Sequence, residues 1–141
     1  MYKKIVLAVD GSEISKNAAK HAVALAKSTG GELIAIHIVP PIDVTDIESF
    51  KPEMLLNGLR KEGENILSEV KSLASQAGVK IQTHVEDGIP YERICEVAEE
   101  QDADLIIMGS HGRTGLGKVF IGSVAERVIS KTKCRPVLVV K

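Results

Sequence analysis

Aromatic residues are scarce in this chain, and positive charge is not in excess. Phe, Tyr and Trp together make up 3% of its 141 residues, there is no Trp, and the formal net charge is −1. Proteins that bind nucleic acids usually carry a basic stripe, often with aromatic rings on which bases stack. Because the sequence has neither feature, we expect no nucleic-acid partner.

The sequence also lacks a long apolar run and is poor in cysteine. The apolar run near the N-terminus meets an acid at Asp10, too early for a signal peptide or a membrane span. We therefore expect a cytoplasmic protein without membrane contact. In that reducing compartment Cys95 and Cys134 stay unpaired, and we predict that both are small buried apolar residues.

What the chain does contain is a regular alternation of strand-like and helix-like segments. Five apolar or alternating stretches predict strands at 5–9, 33–39, 79–85, 105–108 and 136–140. Four segments with apolar residues three and four apart predict helices at about 12–29, 53–77, 88–101 and 122–132. Parallel strands joined by helical crossovers, with helices on both faces of the sheet, satisfy this order. The prediction is a single domain, residues 1–141, with a Rossmann-like three-layer α/β/α fold.

Three segments carry finer predictions. The third strand alternates apolar and polar residues, so one of its faces meets water and we place it at a sheet edge. Residues 42–52 show no period and are predicted to form an irregular loop. The last helix is expected to turn its apolar residues inward: Ile121, Val124, Ala125, Val128 and Ile129.

A glycine-rich segment follows the fourth strand. Residues 109–123 read GSHGRTGLGKVFIGS and contain five glycines before the last predicted helix. Glycines let backbone N–H groups form a concave nest, and a helix N-terminus favours an anion. Ser123 adds a hydroxyl, while Arg113 and Lys118 add positive charge. The segment predicts a phosphate site, and the alternative is a flexible loop bounded by glycines, with ordinary loop charges.

Two common phosphate motifs do not fit this segment. Residues 112–119, GRTGLGKV, approach the P-loop pattern but end in Val119, which has no hydroxyl for a magnesium ion. The dinucleotide pattern G-x-G-x-x-G fails because Gly115 and Gly117 are followed by Phe120 where the third glycine belongs.

The segment does fit G-x2-G-x9-G-[ST], through Gly109, Gly112, Gly122 and Ser123. In this motif, and in the stretches KKIVLAVDGSE, LIAIHIV and RPVLVVK, the chain resembles the nucleotide-binding branch of the universal stress protein family along nearly its whole length. The resemblance implies an adenine nucleotide alpha hydrolase-like fold, with a five-stranded parallel sheet of order 3-2-1-4-5. Asp10 and Gly109 would then end adjacent strands.

The resemblance also implies roles for individual residues. Asp10 would bind ribose hydroxyls or the ion near the phosphates, and the backbone of Ile38 would meet the adenine edge. Ala8 and Met108 would enclose the base. The phosphates would lie against Gly109, Gly112, Gly122, Ser123 and Val124, with Arg113 as a further contact. A side chain at Gly122 would then occupy the space of the phosphates.

The implied ligand is ATP or AMP with Mg²⁺ or Mn²⁺, the ion being held through the nucleotide and not by the protein alone. We predict no catalytic residue, although His111 in the loop is a candidate for assisting a water. Asp10 also fits a simple turn former, since Asp-Gly-Ser is turn chemistry. The other histidines, His21, His37 and His84, have no metal-ligand spacing and are predicted to be structural or exposed.

Three classes of function follow from these features. The first is a regulatory or stress-response protein that binds a nucleotide without fast turnover. The second is a slow ATPase or nucleotidyl-transfer enzyme, and the third is a dimeric interaction module without a ligand. Pro136 to Val140 is apolar on both faces, yet the implied strand order puts it at an edge. Because an exposed apolar edge invites pairing, we predict a homodimer through this strand, as the family resemblance also implies. The alternative is that a helix or residues 42–52 cover the edge within one chain.

Overall fold

The computed structural model describes residues 1–42, 52–112 and 121–141, in which five strands alternate with four helices. The strands are β1 (Lys4–Ala8), β2 (Glu32–Val39), β3 (Lys80–Asp87), β4 (Leu105–Gly109) and β5 (Val137–Val140). The helices are α1 (Glu13–Thr29), α2 (Pro52–Gln76), α3 (Pro90–Glu100) and α4 (Ser123–Lys131). Of the predicted irregular loop, residues 43–51 lie outside this description. Among the described helices, none has the length and apolarity needed to cross a membrane.

All the strand pairs are parallel, and the order in the sheet is β3-β2-β1-β4-β5. This confirms the implied order and the edge position of β3, where exposed residues alternate with partly buried ones. The central pair is β1 with β4, in the register Leu7↔Ile107. Their carboxyl ends therefore lie side by side, which brings Asp10 close to the start of the glycine-rich segment.

The helices cover both faces of the sheet and form two cores. One core joins β1, β2 and β4 to α1 and α2, with Leu7 and Leu33 fully buried in it. The other joins the opposite face to α3 and α4 around Ile34 and Ile106, also fully buried. The unbroken apolar runs of the central strands fit this arrangement because both of their faces are covered.

The helix ends follow local sequence signals. The Ser12 side chain caps α1 by accepting a hydrogen bond from the Ser15 N–H group, and α1 ends at Gly30 with a φ of 69°. That left-handed conformation costs glycine little, which explains the position of the residue. Pro90 begins α3, where its missing N–H group has no helical partner to lose.

The predicted inward face of α4 is partly wrong. Ala125 and Val128 are buried and Val124 is half-buried, but Ile121 and Ile129 are 46% and 44% exposed. Because α4 lies at the end of its layer and packs against α3 and β5, only a narrow stripe of the helix is covered.

The prediction that both cysteines are buried is wrong for Cys134 and only partly right for Cys95. Cys134 is exposed in the turn before β5, with a φ of 58°. Cys95 is half-buried on α3, where desolvation raises the pKa of its thiol. Both thiols are free, as expected.

Two acids at the end of β3 tie this edge strand to a helix on each face. Asp87 pairs with Arg60 of α2 at 2.7 Å, and Glu86 pairs with Arg93 of α3 at 3.2 Å. Arg93 also contacts Glu100 and Glu96. The hydrogen bonds to these carboxylates raise the pKa of its guanidinium, and the bond to Glu100 has the largest effect. The shared guanidinium fixes the first turn of α3 beside the end of the sheet.

The central strand predicts where the fold is most sensitive. Leu7 is fully buried between the neighbours of β1, so Leu7→Ala should lower the free energy of unfolding by about 2–5 kcal/mol. Met54 on α2 is 69% exposed, and Met54→Ala should change it by less than about 0.5 kcal/mol. Urea unfolding of both variants checks the difference. Equal losses would contradict the placement of the core.

Candidate ligand-binding cleft

A cleft of about 480 Å³ opens at the carboxyl ends of β1, β2 and β4, within the ~300–1,000 Å³ typical of small-molecule sites. One part of its wall is apolar and comes from strand ends and the start of α3: Ala8, Ile36, Ile38, Met108, Pro90 and Ile94. The other part is polar and comes from the turn after β1, the residues after β4 and the start of α4: Asp10, Ser110, His111 and Ser123. The cleft therefore joins an apolar wall to a polar end.

Of the ten residues predicted to bind the nucleotide, nine line this cleft: Ala8, Asp10, Ile38, Met108, Gly109, Gly112, Gly122, Ser123 and Val124. They come from the ends of β1, β2 and β4, from the residues after β1 and β4, and from the start of α4, so only the fold brings them together. Arg113 and Lys118 lie outside the described residues.

Asp10 occupies a tightly bonded turn. The Ser12 N–H group donates to Asp10 Oδ1 at 2.9 Å, and the Asp10 N–H group donates to Ser15 Oγ at 3.3 Å. Ser15 is buried, and its hydroxyl donates to the Ser12 carbonyl at 3.1 Å. Asp10 is thus a turn former and a wall of the cleft at once, so the two interpretations of the sequence are compatible.

Gly109 and Gly112 lie where an added side chain would force a neighbouring side chain to shift. A Cβ atom at Gly112 would stand 2.7 Å from Asp10 Oδ2, and one at Gly109 would stand 2.7 Å from Ile14 Cγ2. These contacts bring the residues after β4 against the turn after β1. Absent side chains at these two positions serve the packing of the protein itself.

Gly122 has a similar constraint on the far side of the glycine-rich segment. Its N–H group donates to the Ser110 carbonyl at 2.6 Å, while the Ser110 N–H group donates to the Val140 carbonyl at 2.7 Å. A Cβ atom at Gly122 would lie 2.8 Å from the Ser110 oxygen. The space denied to a side chain at Gly122 is therefore filled by Ser110, which differs from the reason expected from the sequence.

Helix α4 begins at the polar end of the cleft, and its first backbone N–H groups have no acceptor within the helix. Its first intrahelical bond runs from the Glu126 N–H group to the Gly122 carbonyl at 3.0 Å. The N–H groups of residues 123–125 consequently have no acceptor within the helix, and the helix dipole adds partial positive charge there. With the exposed Ser123 hydroxyl, this end suits an anion such as phosphate.

Several cleft residues escaped the sequence analysis. Ser15 and Ser110 are the buried polar residues of the described chain. Ser15 had a signal, because it stands three residues after the helix cap. Leu59 and Glu62 of α2 also line the cleft, and nothing in the local pattern predicts a contact made across the fold.

The fold places two of the histidines on the cleft wall and the other two away from it. The Ser110 hydroxyl lies 2.9 Å from His111 Nδ1 on the cleft wall. His37 also lines the cleft, with its Nδ1 atom 2.9 Å from the Val9 carbonyl oxygen. His21 and His84 are exposed elsewhere. In the described ranges no three His, Cys, Asp or Glu side chains cluster as metal ligands do.

Comparison with known proteins identifies the family. The model of the universal stress protein family matches residues 1–141. Universal stress protein MJ0531 of Methanocaldococcus jannaschii is 46% identical over 145 residues, covering 100% of this chain and 83% of the relative. The chain therefore belongs to the universal stress protein family.

Solved structures agree with this assignment. The structure of hypothetical protein MJ0577 from the same organism has a TM-score of 0.87 at 40% identity, covering 100% of this chain and 96% of that one. A universal stress protein in complex with cAMP has a TM-score of 0.77 at 27% identity, with 99% and 97% coverage. One from Archaeoglobus fulgidus in complex with dAMP has a TM-score of 0.72 at 27% identity, with 99% and 98% coverage.

The contact at Gly122 predicts a loss of stability. Gly122→Ala should lower the free energy of unfolding by about 1–3 kcal/mol, because the new methyl group presses on the Ser110 carbonyl. Gly58→Ala is the matched control: Gly58 lies inside α2 with open space around it, so alanine should stabilise by ~0.5–1 kcal/mol. Denaturant unfolding measures both changes. A neutral Gly122→Ala would contradict the close approach.

Proposed function

We propose that this protein binds an adenine nucleotide in the cleft and acts as a regulatory or stress-response protein. The observation that carries the proposal is the adjacency of an apolar wall and a helix N-terminus within one cleft of about 480 Å³. The residues that fit the motif G-x2-G-x9-G-[ST] support membership of the nucleotide-binding branch of the family. The complexes of two structural neighbours with cAMP and dAMP support the same ligand class.

The base lies against the apolar wall in this proposal. Ala8, Ile38 and Met108 belong to, or pack on, the core of the α3 and α4 face, and they offer an apolar surface to an aromatic ring. Met108 is 5% exposed, so its position is fixed by packing. A purine ring stacked there leaves its polar edge directed at the strand ends.

The backbone of Ile38 is placed to meet that edge. Alternate residues of a parallel strand direct their N–H and C=O groups to the same neighbouring strand. In β2, the Ile36 carbonyl bonds to Val9 on the β1 side, whereas the Val39 carbonyl bonds to Gly88 on the β3 side. Ile38 therefore faces the β1 side, where the register of the two strands ends at Ala8↔Ile36. Its donor and acceptor match the two-point hydrogen bonding of an adenine edge.

In this proposal the phosphates lie at the start of α4, where the N–H groups of residues 123–125 and the Ser123 hydroxyl donate hydrogen bonds to them. Asp10, across the narrow gap at Gly112, is proposed to contact the ribose hydroxyls or a Mg²⁺ or Mn²⁺ ion carried by the phosphates. A carboxylate oxygen suits such hard cations. One carboxylate does not build a metal site by itself, so the ion binds with the nucleotide.

The site favours binding over fast hydrolysis. Phosphoryl transfer needs a positioned water, a group that orients it and charges that stabilise the transition state. Asp10 Oδ1 accepts from Ser12, and His111 Nδ1 is engaged by the Ser110 hydroxyl. His111 is nevertheless on the cleft wall beside the phosphate end, and this position supports a slow ATPase as the second candidate function.

We also propose that the protein is a homodimer through β5. Each chain contributes a single domain, residues 1–141, and the dimer is cytoplasmic. In the sheet order β5 is terminal, with β4 as its neighbour. Leu138 on this strand is 39% exposed. Two copies related by a two-fold axis would cover both edges at once and close the assembly.

Calorimetry tests nucleotide binding. We expect ATP to bind with a dissociation constant between sub-micromolar and tens of micromolar, tightened by Mg²⁺ or Mn²⁺, and GTP to bind at least about tenfold more weakly. Asp10→Asn should weaken Mg²⁺-ATP binding. Glu13→Gln removes the same charge from an exposed residue of the same turn and should not. No adenine-nucleotide binding at millimolar concentration would refute the proposal.

Turnover separates the two candidate functions. We expect ATP hydrolysis below about one per minute, far under the enzyme median of ~10 per second. A steady-state phosphate-release assay on the wild type and on His111→Ala measures it. Several turnovers per second, abolished in the variant, would establish the enzyme instead.

Sedimentation tests the dimer. Leu138→Lys places a charge on the exposed edge and should yield monomers at micromolar concentration, while the wild type sediments as a dimer. Lys80→Leu makes the reciprocal change on β3, at the opposite edge, and should leave the dimer intact. A monomeric wild type, or a dimeric Leu138→Lys variant, would exclude β5 as the interface.

A further inference from the structure

His37 connects helix α2 to the end of β1. Its Nδ1 atom lies 2.9 Å from the Val9 carbonyl oxygen. On another side of the ring, a Cβ atom at Gly63 of α2 would stand 2.6 Å from His37 Cδ2. Gly63 is buried, so the imidazole rests on helix backbone that only glycine leaves open. The ring is therefore held between a helix and a strand end.

The hydrogen bond to Val9 defines the chemistry of the ring. A carbonyl oxygen only accepts, so His37 Nδ1 carries the proton and donates. Both the neutral tautomer with this proton and the imidazolium supply that N–H group. The bond therefore persists whether or not the ring is charged.

The bonded carbonyl belongs to the peptide that precedes Asp10. The Val9 N–H group donates to the Ile36 carbonyl at 3.0 Å, the last bond by which β1 follows β2. In a continued parallel ladder, the next bond would run from the Ile38 N–H group to the Val9 carbonyl. The His37 side chain donates to that carbonyl at the point where β1 turns away into the Asp10 turn.

We propose that His37 is a positioning residue for the nucleotide site. By donating to Val9, the imidazole fixes the peptide that aims Asp10 and leaves the Ile38 N–H group directed at the ligand. Gly63 holds the ring in place. This inference rests on the proposed nucleotide binding and assigns His37 no contact with the ligand.

Substitutions at His37 test the role of the donor. Asparagine places an amide N–H group near the position of Nδ1, so His37→Asn should bind Mg²⁺-ATP within about threefold of the wild type. His37→Phe fills the space without a donor, and His37→Gln carries its amide too far out. Both should bind at least about tenfold more weakly. Gly63→Ala should weaken binding in the same direction by displacing the ring, whereas Gly58→Ala should not.

A double-mutant cycle shows whether His37 acts through Asp10. If it does, the loss caused by His37→Gln in calorimetry should shrink when Asp10 is already Asn, because the aimed carboxylate is gone. A purely structural effect would add to that of Asp10→Asn unchanged. Such additivity, or wild-type affinity in both His37→Phe and His37→Gln, would overturn the inference.

Two further results have distinct meanings. Failure of His37→Asn to bind, together with His37→Phe and His37→Gln, would show that the imidazole touches the ligand directly and would also overturn the positioning role. Failure of the folded wild type to bind ATP would instead refute the proposed function. Circular dichroism of each variant identifies any that do not fold, and the pair His37→Asn and His37→Gln then decides.

Discussion

The pairing of β1 with β4 at the centre of the sheet is the contact on which the site depends. It sets the Asp10 turn beside Gly109, although the two are far apart in sequence. It also divides the apolar residues into two cores, since both strands are covered on both faces. With this pair in place, the helices that follow β1 and β4 begin at the carboxyl edge of the sheet, and the start of α4 reaches the cleft. The strand order creates the cleft, and the glycine motif supplies only part of its wall.

Much of this fold could be predicted from periodicity. Unbroken apolar runs predict buried strands, and the alternation of apolar and polar residues in β3 predicted its position at the sheet edge. The exposure of Ile121 and Ile129 could not be read in the same way. Helical spacing shows which residues share a face, but the width of the covered stripe depends on how many elements pack against it. At the end of its layer, α4 has fewer neighbours than a central helix.

The residues of the motif could be identified from the sequence, whereas the residues that hold them in place could not. The family resemblance named residues that line the cleft, but the glycines of the motif are constrained by contacts within the protein: Gly112 against Asp10 and Gly122 against Ser110. The partners of His37 are a strand end and a helix, so its sequence neighbours say nothing of them. Short-range patterns reveal what a loop can bind, whereas the groups that hold it still come from across the fold.

The hydrogen bond between Gly122 and Ser110 gives the glycine-rich segment fixed ends. Its two anchor atoms are 2.6 Å apart, and Ser110 is secured in turn to the end of β5. Ser110 and Gly122 therefore join three elements at one point: the end of β4, the start of α4 and the end of β5.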